Sequence, residues 1–309
     1  RSIWVTGVQT CALPICTGAS PFIGDVAIRG DRIAYVGPRA PAGAKRELNA
    51  TGQAVSPGFI NQMSYASESF VIDGRGLSDL YQGVTLEVMN EGEAPGPLRT
   101  PLPDVNPFGT TLSSFFEGLE RRGVAQNMAA HVGATAVRRY VLGDNNVAPT
   151  PAQLDQMRAL VKEGMEQGAV GISSALIYTP ATFSMTDELT ALATEAGRCG
   201  GFYISHMRSE GARFIEALDE LIQISRSSGA PAEVFHIKAG GQRNWSKMEI
   251  ALEKIRAARA AGLRIRANMY PYPASGTGLD ASMPPWVREG GLDYMEIEER
   301  RVGKECRSR

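Results

Sequence analysis

Long hydrophobic runs are missing from this sequence of 309 residues. No apolar stretch reaches the roughly 18 residues that a membrane-spanning helix needs, so we expect no membrane partner. An excess of one charge is missing as well, because 32 lysines and arginines stand against 33 aspartates and glutamates. Without a long basic segment, a nucleic acid is not an expected partner either. A hydrophobic content of 43% excludes a mainly disordered chain and predicts a globular protein with a buried core.

Cysteine is scarce, and three of the four cysteines lie in terminal segments that do not resemble natural protein. Residues Val5 to Ile15 read like the translation of a short-read sequencing adapter, and Glu298 to Arg309 like that of its partner adapter. We interpret residues 1–16 and 298–309 as adapter-derived and expect a longer natural protein, with a peculiar leader and a basic tail as the alternative. Only Cys199 remains, which gives no disulfide framework. Because the natural N-terminus would then be missing, a cytoplasmic and an exported protein both stay open.

Turn-forming residues, by contrast, are abundant, with 34 glycines and 18 prolines spread along the chain. Residues 25–37 (DVAIRGDRIAYVG) alternate in hydrophobicity around Gly30 and Asp31, which predicts a β-hairpin. A third alternating segment runs from Arg46 to Ala50. We therefore predict a small, partial β domain at residues 17–53.

Strand and helix patterns alternate from Ala54 onward. Helical stretches show apolar residues at 3.6-residue spacing, and one of them begins with Thr150 followed by Pro151. The predicted strands are Val55–Ile60, Val84–Met89, Asn127–Val132, Ala169–Ser173, Phe202–Ser205, Glu233–His236 and Arg264–Met269. Repeats of roughly 30 residues favour an α/β protein with a TIM-like (β/α)8 barrel at residues 54–297, truncated before strand eight. A doubly wound sheet is the alternative, although no GxGxxG sequence supports dinucleotide binding.

Histidine is rare, with only three in the chain. His206 and His236 each close a predicted strand, one β/α unit apart. In a barrel, both imidazoles would lie at the carboxyl-terminal rim, where active sites gather. Imidazole is a common zinc ligand, so the pair predicts a metal site, with two unrelated rim histidines as the alternative. His131 has no second ligand nearby in sequence, and we interpret it as structural.

Glu91 follows the second predicted strand and shares a face with Glu87 and Met89 if the strand stays regular. With His206 and His236 it would complete a His2Glu set of metal ligands, which leaves a fourth position for water. A metal in such a site lowers the pKa of water to near neutrality and polarises a carbonyl group. For Glu91 alone, a cap or loop carboxylate is the alternative.

Cationic and hydroxyl side chains follow the same strands. Arg208 is a candidate for catalysis and substrate binding, because a guanidinium can bind a carboxylate through two hydrogen bonds. An ion pair with Glu210 would account for Arg208 equally well. Lys238 is a second candidate for substrate binding. The loop YPYPASGT adds three candidate donors to a substrate, Tyr270, Tyr272 and Thr277, with loop packing as the alternative for the tyrosines.

Seven strings within residues 17–296 carry a resemblance to a known family: TGASPF…DVAIRGDRIAYVG, AVSPGFI, QGVTLEVMNEG, GAVGISSALIYTP, YISHMRSEG, EVFHIKAGG and YPYPASGTGL. They resemble the N-acyl-D-amino-acid deacylase (D-aminoacylase) branch of the amidohydrolase superfamily. The resemblance implies a metal-dependent TIM-like barrel with a small β domain built from both chain ends. It also implies that His206 and His236, on strands five and six, are metal ligands.

The sequence departs from this family at the other metal ligands. Where the family has an HxH pair after strand one, this chain has Met63 and Tyr65, neither of which is an expected zinc ligand here. Where the family has a bridging cysteine, this chain has Glu91. The resemblance therefore implies one zinc ion per chain, held by Glu91, His206 and His236. It also implies an aspartate that acts as catalytic base after strand eight, beyond the last strand of this chain.

Our hypothesis is a zinc-dependent amidohydrolase that cleaves the linear amide of an N-acyl amino acid, with Glu91 and Arg208 as catalytic candidates. A cyclic-amide hydrolase is an alternative, favoured if Arg208 and Lys238 do not face the metal. A non-catalytic ligand-binding relative that lost the HxH site is another. With unpaired barrel edges and no catalytic aspartate, we expect residues 1–309 alone to be poorly soluble and inactive. The acyl group, the D or L preference and the oligomeric state stay open.

Overall fold

A computed structural model describes residues 2–10, 22–40 and 43–291, which divide into two units. The first unit holds the described residues up to Ile60 together with residues 83–85, and the second unit holds the others. The first unit contains four strands that lie wholly within it: β1 (Ser2–Thr10), β2 (Phe22–Arg29), β3 (Arg32–Gly37) and β4 (Arg46–Asn49).

These four strands form one sheet with the order β3-β2-β1-β4. Strands β2 and β3 form the expected antiparallel hairpin, with Arg29 opposite Arg32. Gly30 has a φ of +67° in the connecting turn, a conformation that favours glycine. Strand β1 lies between β2 and β4, although we set this segment aside as adapter-derived and predicted no strand there.

Eight further strands follow along the chain: β5 (Phe59–Ser64), β6 (Val84–Met89), β7 (Asn127–Ala130), β8 (Val132–Gly133), β9 (Gly171–Ala175), β10 (Phe202–His206), β11 (Ala232–Val234) and β12 (Ile265–Ala267). They form a sheet β5-β6-β7 and a sheet β12-β11-β10-β9-β8. Pairing is parallel between β6 and β7 and throughout the larger sheet. The predicted α/β class with parallel sheets is thus confirmed. Among the described residues, β5 and β12 each have a strand neighbour on one side only.

All seven strands predicted after Ala54 are present. The second has the predicted ends, Val84–Met89, whereas the ends of the other six differ. The first begins at Phe59 and not at Val55, because Pro57 has no N–H to offer a ladder and the pairing starts after it. The third is interrupted at His131, between β7 and β8. The sixth ends at Val234, so that His236 lies in the following turn and does not close the strand.

Within the described part of the chain, eight α-helices connect these strands: α1 (Ser67–Ile72), α2 (Leu77–Tyr81), α3 (Leu112–Arg122), α4 (Ala134–Leu142), α5 (Pro151–Glu166), α6 (Thr186–Arg198), α7 (Phe214–Ser228) and α8 (Lys247–Ala260). Helix α5 begins as predicted, since Thr150 Oγ1 accepts a hydrogen bond from Gln153 N at 3.3 Å and Gln153 Oε1 accepts one from Thr150 N at 2.9 Å. None of the described helices combines the length and the apolar character needed to cross a membrane.

The core of the second unit lies between the parallel strands and these helices. Its most buried large side chains include Phe115, Met157, Ile172, Leu189, Tyr203 and Phe214. An ion pair is buried beside them, in which Arg138 Nη1 of α4 donates to Glu188 Oε2 of α6 at 2.6 Å. Arg138 Nη2 also donates to Val147 O at 2.6 Å, so the guanidinium ties a loop to both helices.

Candidate metal centre

Glu91 enters the site from a tight turn after β6. Asn90 and Gly92, on either side of it, both have a φ of +87°, so the strand does not continue regularly to Glu91 as the sequence pattern assumed. Gly92 N donates to Ser173 Oγ at 2.9 Å, and a Cβ atom at Gly92 would lie only 2.8 Å from the backbone nitrogen of Ala175. This close approach requires glycine at position 92 and fixes the direction of the neighbouring carboxylate.

The three predicted metal ligands converge on one point. Glu91 Oε1 lies 3.0 Å from His206 Nδ1 and 2.7 Å from His236 Nε2. All three side chains are buried, and their candidate ligand atoms lie within 4.8 Å of one another. The two imidazole rings are 4.5 Å apart and nearly perpendicular. Two imidazole nitrogens and a carboxylate oxygen in this arrangement can hold a metal ion.

The charge state of the cluster follows from its contacts. Burial acts to raise the pKa of Glu91, but hydrogen bonds from His206 and His236 hold it lower, at about 2. Burial acts to lower the pKa of His236, but hydrogen bonds to Glu210 and Glu91 raise it to about 9. Hydrogen bonds from His236 and Lys238 likewise outweigh burial and lower the pKa of Glu210. Glu91 is therefore ionised at neutral pH, as a metal ligand must be.

His236 is held in a strained backbone conformation. Its φ is +35°, in the left-handed region that residues other than glycine seldom adopt. The side chain of Asn268, just after β12, accepts a hydrogen bond from His236 N at 2.7 Å. Asn268 Nδ2 in turn donates to Glu233 Oε1 at 2.8 Å, which fixes the orientation of the amide. The turn that presents His236 is thus held by its two neighbouring strands.

Three predicted substrate-binding residues lie beside His236 or stack on its neighbour. Lys238 Nζ is 3.0 Å from His236 Nδ1 and 5.4 Å from the centre of the Tyr270 ring. Tyr270 packs at 6.3 Å from the His236 ring, and Tyr272 stacks on Tyr270 at 6.4 Å. These contacts put one cation and two aromatic rings next to the candidate metal ligands.

Thr277 reaches the same region through a tyrosine that the sequence analysis did not single out. Its Oγ1 is 2.7 Å from Tyr178 Oη, and the Tyr178 ring packs at 5.8 Å from His206. The loop that follows β12 therefore contacts His236 directly and is linked to His206 through Tyr178. Substrate binding by Thr277 itself stays a prediction.

The guanidinium group of Arg208 is bound to Glu220 and not to the candidate metal ligands. Its Nε and Nη2 donate to the two carboxylate oxygens of Glu220 on α7, at 3.0 and 2.9 Å. Further hydrogen bonds go to Thr182 O at 2.9 Å and Ser184 O at 2.8 Å. The ion pair weighed for Arg208 thus forms with Glu220 and not with Glu210, whose partner is Lys238. Catalysis or substrate binding by Arg208 stays a prediction.

Tyr65, Tyr178, Glu210 and Asn268 belong to this site but were not among its predicted members. Tyr65 Oη donates to Glu91 Oε2, and burial of this hydroxyl together with the Glu91 charge raises the pKa of the phenol. Tyr65 could have been proposed from its place in the lost HxH pair. Glu210 could have been proposed as a ligand neighbour because it follows His206 by four residues. Nothing in the sequence pattern around Asn268 singles it out as a member of the site.

His131 is buried between β7 and β8, as its structural interpretation requires. Its ring packs edge-on against Phe202 at 5.4 Å and Phe235 at 6.1 Å. Burial lowers the pKa of His131 to about 4, despite opposing hydrogen bonds to the backbone at Met89 and Asn90. The imidazole is therefore neutral in the folded chain at neutral pH.

This burial predicts a loss of stability in acid. Unfolding restores the pKa of His131 to its ordinary value of about 6.5, so between pH 6.5 and 4 the unfolded chain binds the extra proton. The free energy of unfolding should then fall by about 3 kcal/mol over this range because of His131. Urea unfolding at several pH values should show a weaker pH dependence in His131→Gln than in the unaltered chain. Parallel pH profiles for the two proteins would contradict this assignment.

Comparison with known proteins identifies relatives with deacylase activity, although no protein-family model matches the chain. N-acyl-D-glutamate deacylase from Alcaligenes xylosoxydans xylosoxydans is 34% identical over 265 residues, which cover 82% of this chain and 54% of that protein. D-aminoacylase from the same organism is 32% identical over 266 residues, with the same shares of the two chains. This chain therefore spans about half the length of the curated relatives that it matches.

A solved relative agrees with the sequence comparison. The structure of N-acyl-D-glutamate deacylase from Bordetella bronchiseptica, in complex with zinc and a phosphonate mimic of the tetrahedral intermediate, matches 88% of this chain. The TM-score is 0.75 at 28% identity, and the match covers 58% of that protein. This chain is therefore a homologue of N-acyl-D-glutamate deacylase and D-aminoacylase, which it matches over about four fifths of its own length.

Proposed function

We propose that this chain carries the metal centre of an amidohydrolase that hydrolyses the linear amide bond of N-acyl-D-amino acids. The observation that carries the proposal is the convergence of Glu91 Oε1 with His206 Nδ1 and His236 Nε2 at 3.0 and 2.7 Å. Two imidazoles and a carboxylate are a donor set that zinc takes in hydrolases, with a further position left for water. We also propose that the β/α units from β5 to β12 belong to a TIM-like (β/α)8 barrel.

The contacts of Glu91 support a single zinc ion per chain. Glu91 Oε1 faces the two histidines, whereas Glu91 Oε2 accepts a hydrogen bond from Tyr65. The Tyr65 hydroxyl donates its proton to Glu91 Oε2, so it acts here as a hydrogen-bond donor to a ligand. Met63 and Tyr65 stand where the family has two histidines, so these positions offer no imidazole for a second ion.

Bound zinc would supply Lewis-acid polarisation of the amide carbonyl and would lower the pKa of a water molecule. The chain's own residues would bind and orient the substrate. The ammonium group of Lys238, over the Tyr270 ring, fits a substrate carboxylate. The hydroxyl groups of Tyr270 and Tyr272 lie in the same loop as candidate donors to the acyl group. Thr277 would join them by exchanging its hydrogen bond with Tyr178 for one to the substrate.

Arg208 bears on the choice between a linear and a cyclic amide. We assign it to the substrate carboxylate, but this role requires the guanidinium to exchange Glu220 for the substrate. Lys238, in contrast, already lies beside His236. One of the two cations thus adjoins the proposed metal and the other does not, which keeps a cyclic-amide hydrolase as a second candidate. We favour the linear amide because of Lys238 and the deacylase relatives.

Ligand binding tests the proposed function, and it suits a chain that covers about half of its relatives. The chain is loaded with zinc, its metal content is measured, and calorimetry follows the binding of a phosphonate analogue of N-acetyl-D-glutamate. The L-enantiomer and hydantoin are the comparison ligands, and the chelator-treated chain is the control. We expect one zinc per chain and binding of the D-analogue only when zinc is present.

Three results would contradict this expectation in different ways. A chain that retains no zinc after gentle purification would favour a non-catalytic binding protein. Zinc-dependent binding of hydantoin in preference to the D-analogue would favour the cyclic-amide hydrolase. Equal binding of the two enantiomers would remove the D-specific part of the proposal.

A further inference from the structure

Glu210 lies against the ring nitrogens that do not face Glu91. Its Oε1 is 3.0 Å from His236 Nδ1 and 3.9 Å from His206 Nε2. Among the buried side-chain atoms that the structure describes, His206 Nε2 has no hydrogen-bond partner. The two candidate ligand histidines are therefore enclosed by two carboxylates, one on each side of the ring pair.

The Glu210 carboxylate is held firmly in this place. Its backbone oxygen accepts a hydrogen bond from Gly240 N at 2.6 Å, which links the loop after β10 to the loop after β11. Its Oε1 accepts a hydrogen bond from Lys238 Nζ at 2.5 Å. The side chain is only 19% exposed. Because backbone and side chain are both anchored, the carboxylate is positioned before any ligand binds.

The position of Glu210 decides which nitrogen of His236 carries a proton. A neutral imidazole has one N–H, and only the other nitrogen can bind a metal. Without a metal, His236 Nε2 donates to Glu91 Oε1. A bound metal would take the place of this proton, while His236 Nδ1 goes on donating to Glu210. Lys238 Nζ also lies 3.0 Å from His236 Nδ1. Without the carboxylate, Nδ1 would accept a hydrogen bond from this ammonium group, and the proton would reside on Nε2.

We propose that Glu210 is a positioning residue of the metal centre, which accepts the Nδ1 proton of His236 as a hydrogen bond and leaves Nε2 free to bind the metal. This inference rests on the metal centre of the proposed function. Ligand histidines commonly donate their second nitrogen to a carboxylate in this way, and losing that partner costs about 10–100-fold in metal affinity. Glu210 matters because Lys238 competes with it: without the carboxylate, the Lys238 ammonium group would donate to His236 Nδ1.

Zinc affinity of the full chain, measured by competition with a chromophoric chelator, tests this role without any assay of activity. Glu210→Ala should weaken zinc binding by about 10–100-fold. Glu210→Gln should weaken it less, because the amide oxygen can still accept the Nδ1 proton. Adding Lys238→Met to Glu210→Ala should restore part of the affinity, because the competing donor is removed. Glu216→Ala, an exposed carboxylate on α7, removes the same charge and should bind zinc normally.

The outcomes separate this inference from the proposed function. If the unaltered chain binds one zinc and Glu210→Ala binds it equally well, the inference fails and the metal centre stands. Equal weakening by Glu210→Ala and Glu216→Ala would also overturn it, because charge alone would then explain the effect. The inference would also be overturned if the double variant with Glu210→Ala and Lys238→Met bound zinc no more tightly than Glu210→Ala alone. Failure of the unaltered chain to bind zinc would instead remove the proposed metal centre itself.

Discussion

Glu91→Ala is expected to weaken zinc binding by more than about 100-fold. Losing a direct metal ligand should cost more than losing the hydrogen-bond partner of a ligand, which costs about 10–100-fold in metal affinity. Glu91 Oε1 is the atom that both histidine nitrogens approach, at 3.0 and 2.7 Å. Without it, His206 and His236 would face each other with no anionic ligand between them. The measurement is the zinc dissociation constant from chelator competition, together with metal content after gel filtration.

Two further variants make this result specific. Glu93→Ala removes an exposed carboxylate two residues along the chain, which pairs with Arg139 at 2.6 Å, and it should bind zinc normally. Glu91→Cys supplies a thiolate, which is a zinc ligand and the residue type of the resembled family, and it should retain zinc. Unchanged affinity in Glu91→Ala would show that the metal binds without this carboxylate.

Glu188→Ala should lower the free energy of unfolding by about 3–5 kcal/mol, the cost of leaving one member of a buried ion pair without its partner. Arg138 is completely buried, and its Nη1 lies 2.6 Å from Glu188 Oε2. The variant would leave a guanidinium in the core with the carbonyl groups of the 143–149 loop as its remaining acceptors among described residues. Urea or thermal unfolding of the purified variants measures the change.

The double variant Arg138→Met and Glu188→Leu provides the comparison. Replacing a buried ion pair with apolar side chains of similar volume is often neutral or stabilising, so the double variant should be more stable than Glu188→Ala. Glu166→Ala removes one member of an exposed pair with Lys162 and should change stability by less than about 0.5 kcal/mol. A loss of that small size in Glu188→Ala would contradict the role assigned to the buried pair.

Periodicity carried most of the fold prediction. The spacing of apolar residues located α7, and the Thr150-Pro151 pair located the start of α5, because both signals are local. Strand ends were less predictable, as the shift from Val55 to Phe59 shows. Strand β1 was not predicted because we set its segment aside as adapter-derived, an interpretation that stays a prediction.

The candidate site was predictable to the extent that its residues follow strands. Glu91 follows β6 and His206 ends β10, which lie in separate sheets, so their neighbourhood was predicted from the barrel interpretation and not from strand pairing. The direction of the Arg208 side chain could not be predicted from the sequence, because it depends on an ion pair with Glu220, twelve residues later on α7. The hydrogen bond from Tyr65 to Glu91 depends on how the chain leaves β5, which a pattern of hydrophobicity does not encode.

The three candidate ligands are far apart in the chain, since Glu91 precedes His206 by 115 residues and His236 by 145. Only the assembled sheets bring them together, so an unfolded chain would lack the site and bind the ion weakly. Metal binding and folding are then linked by mass action, and free zinc at 100 times its dissociation constant would stabilise the folded chain by about 2.7 kcal/mol. Zinc supply would thereby set not only the occupancy of the centre but also the fraction of chains that stay folded.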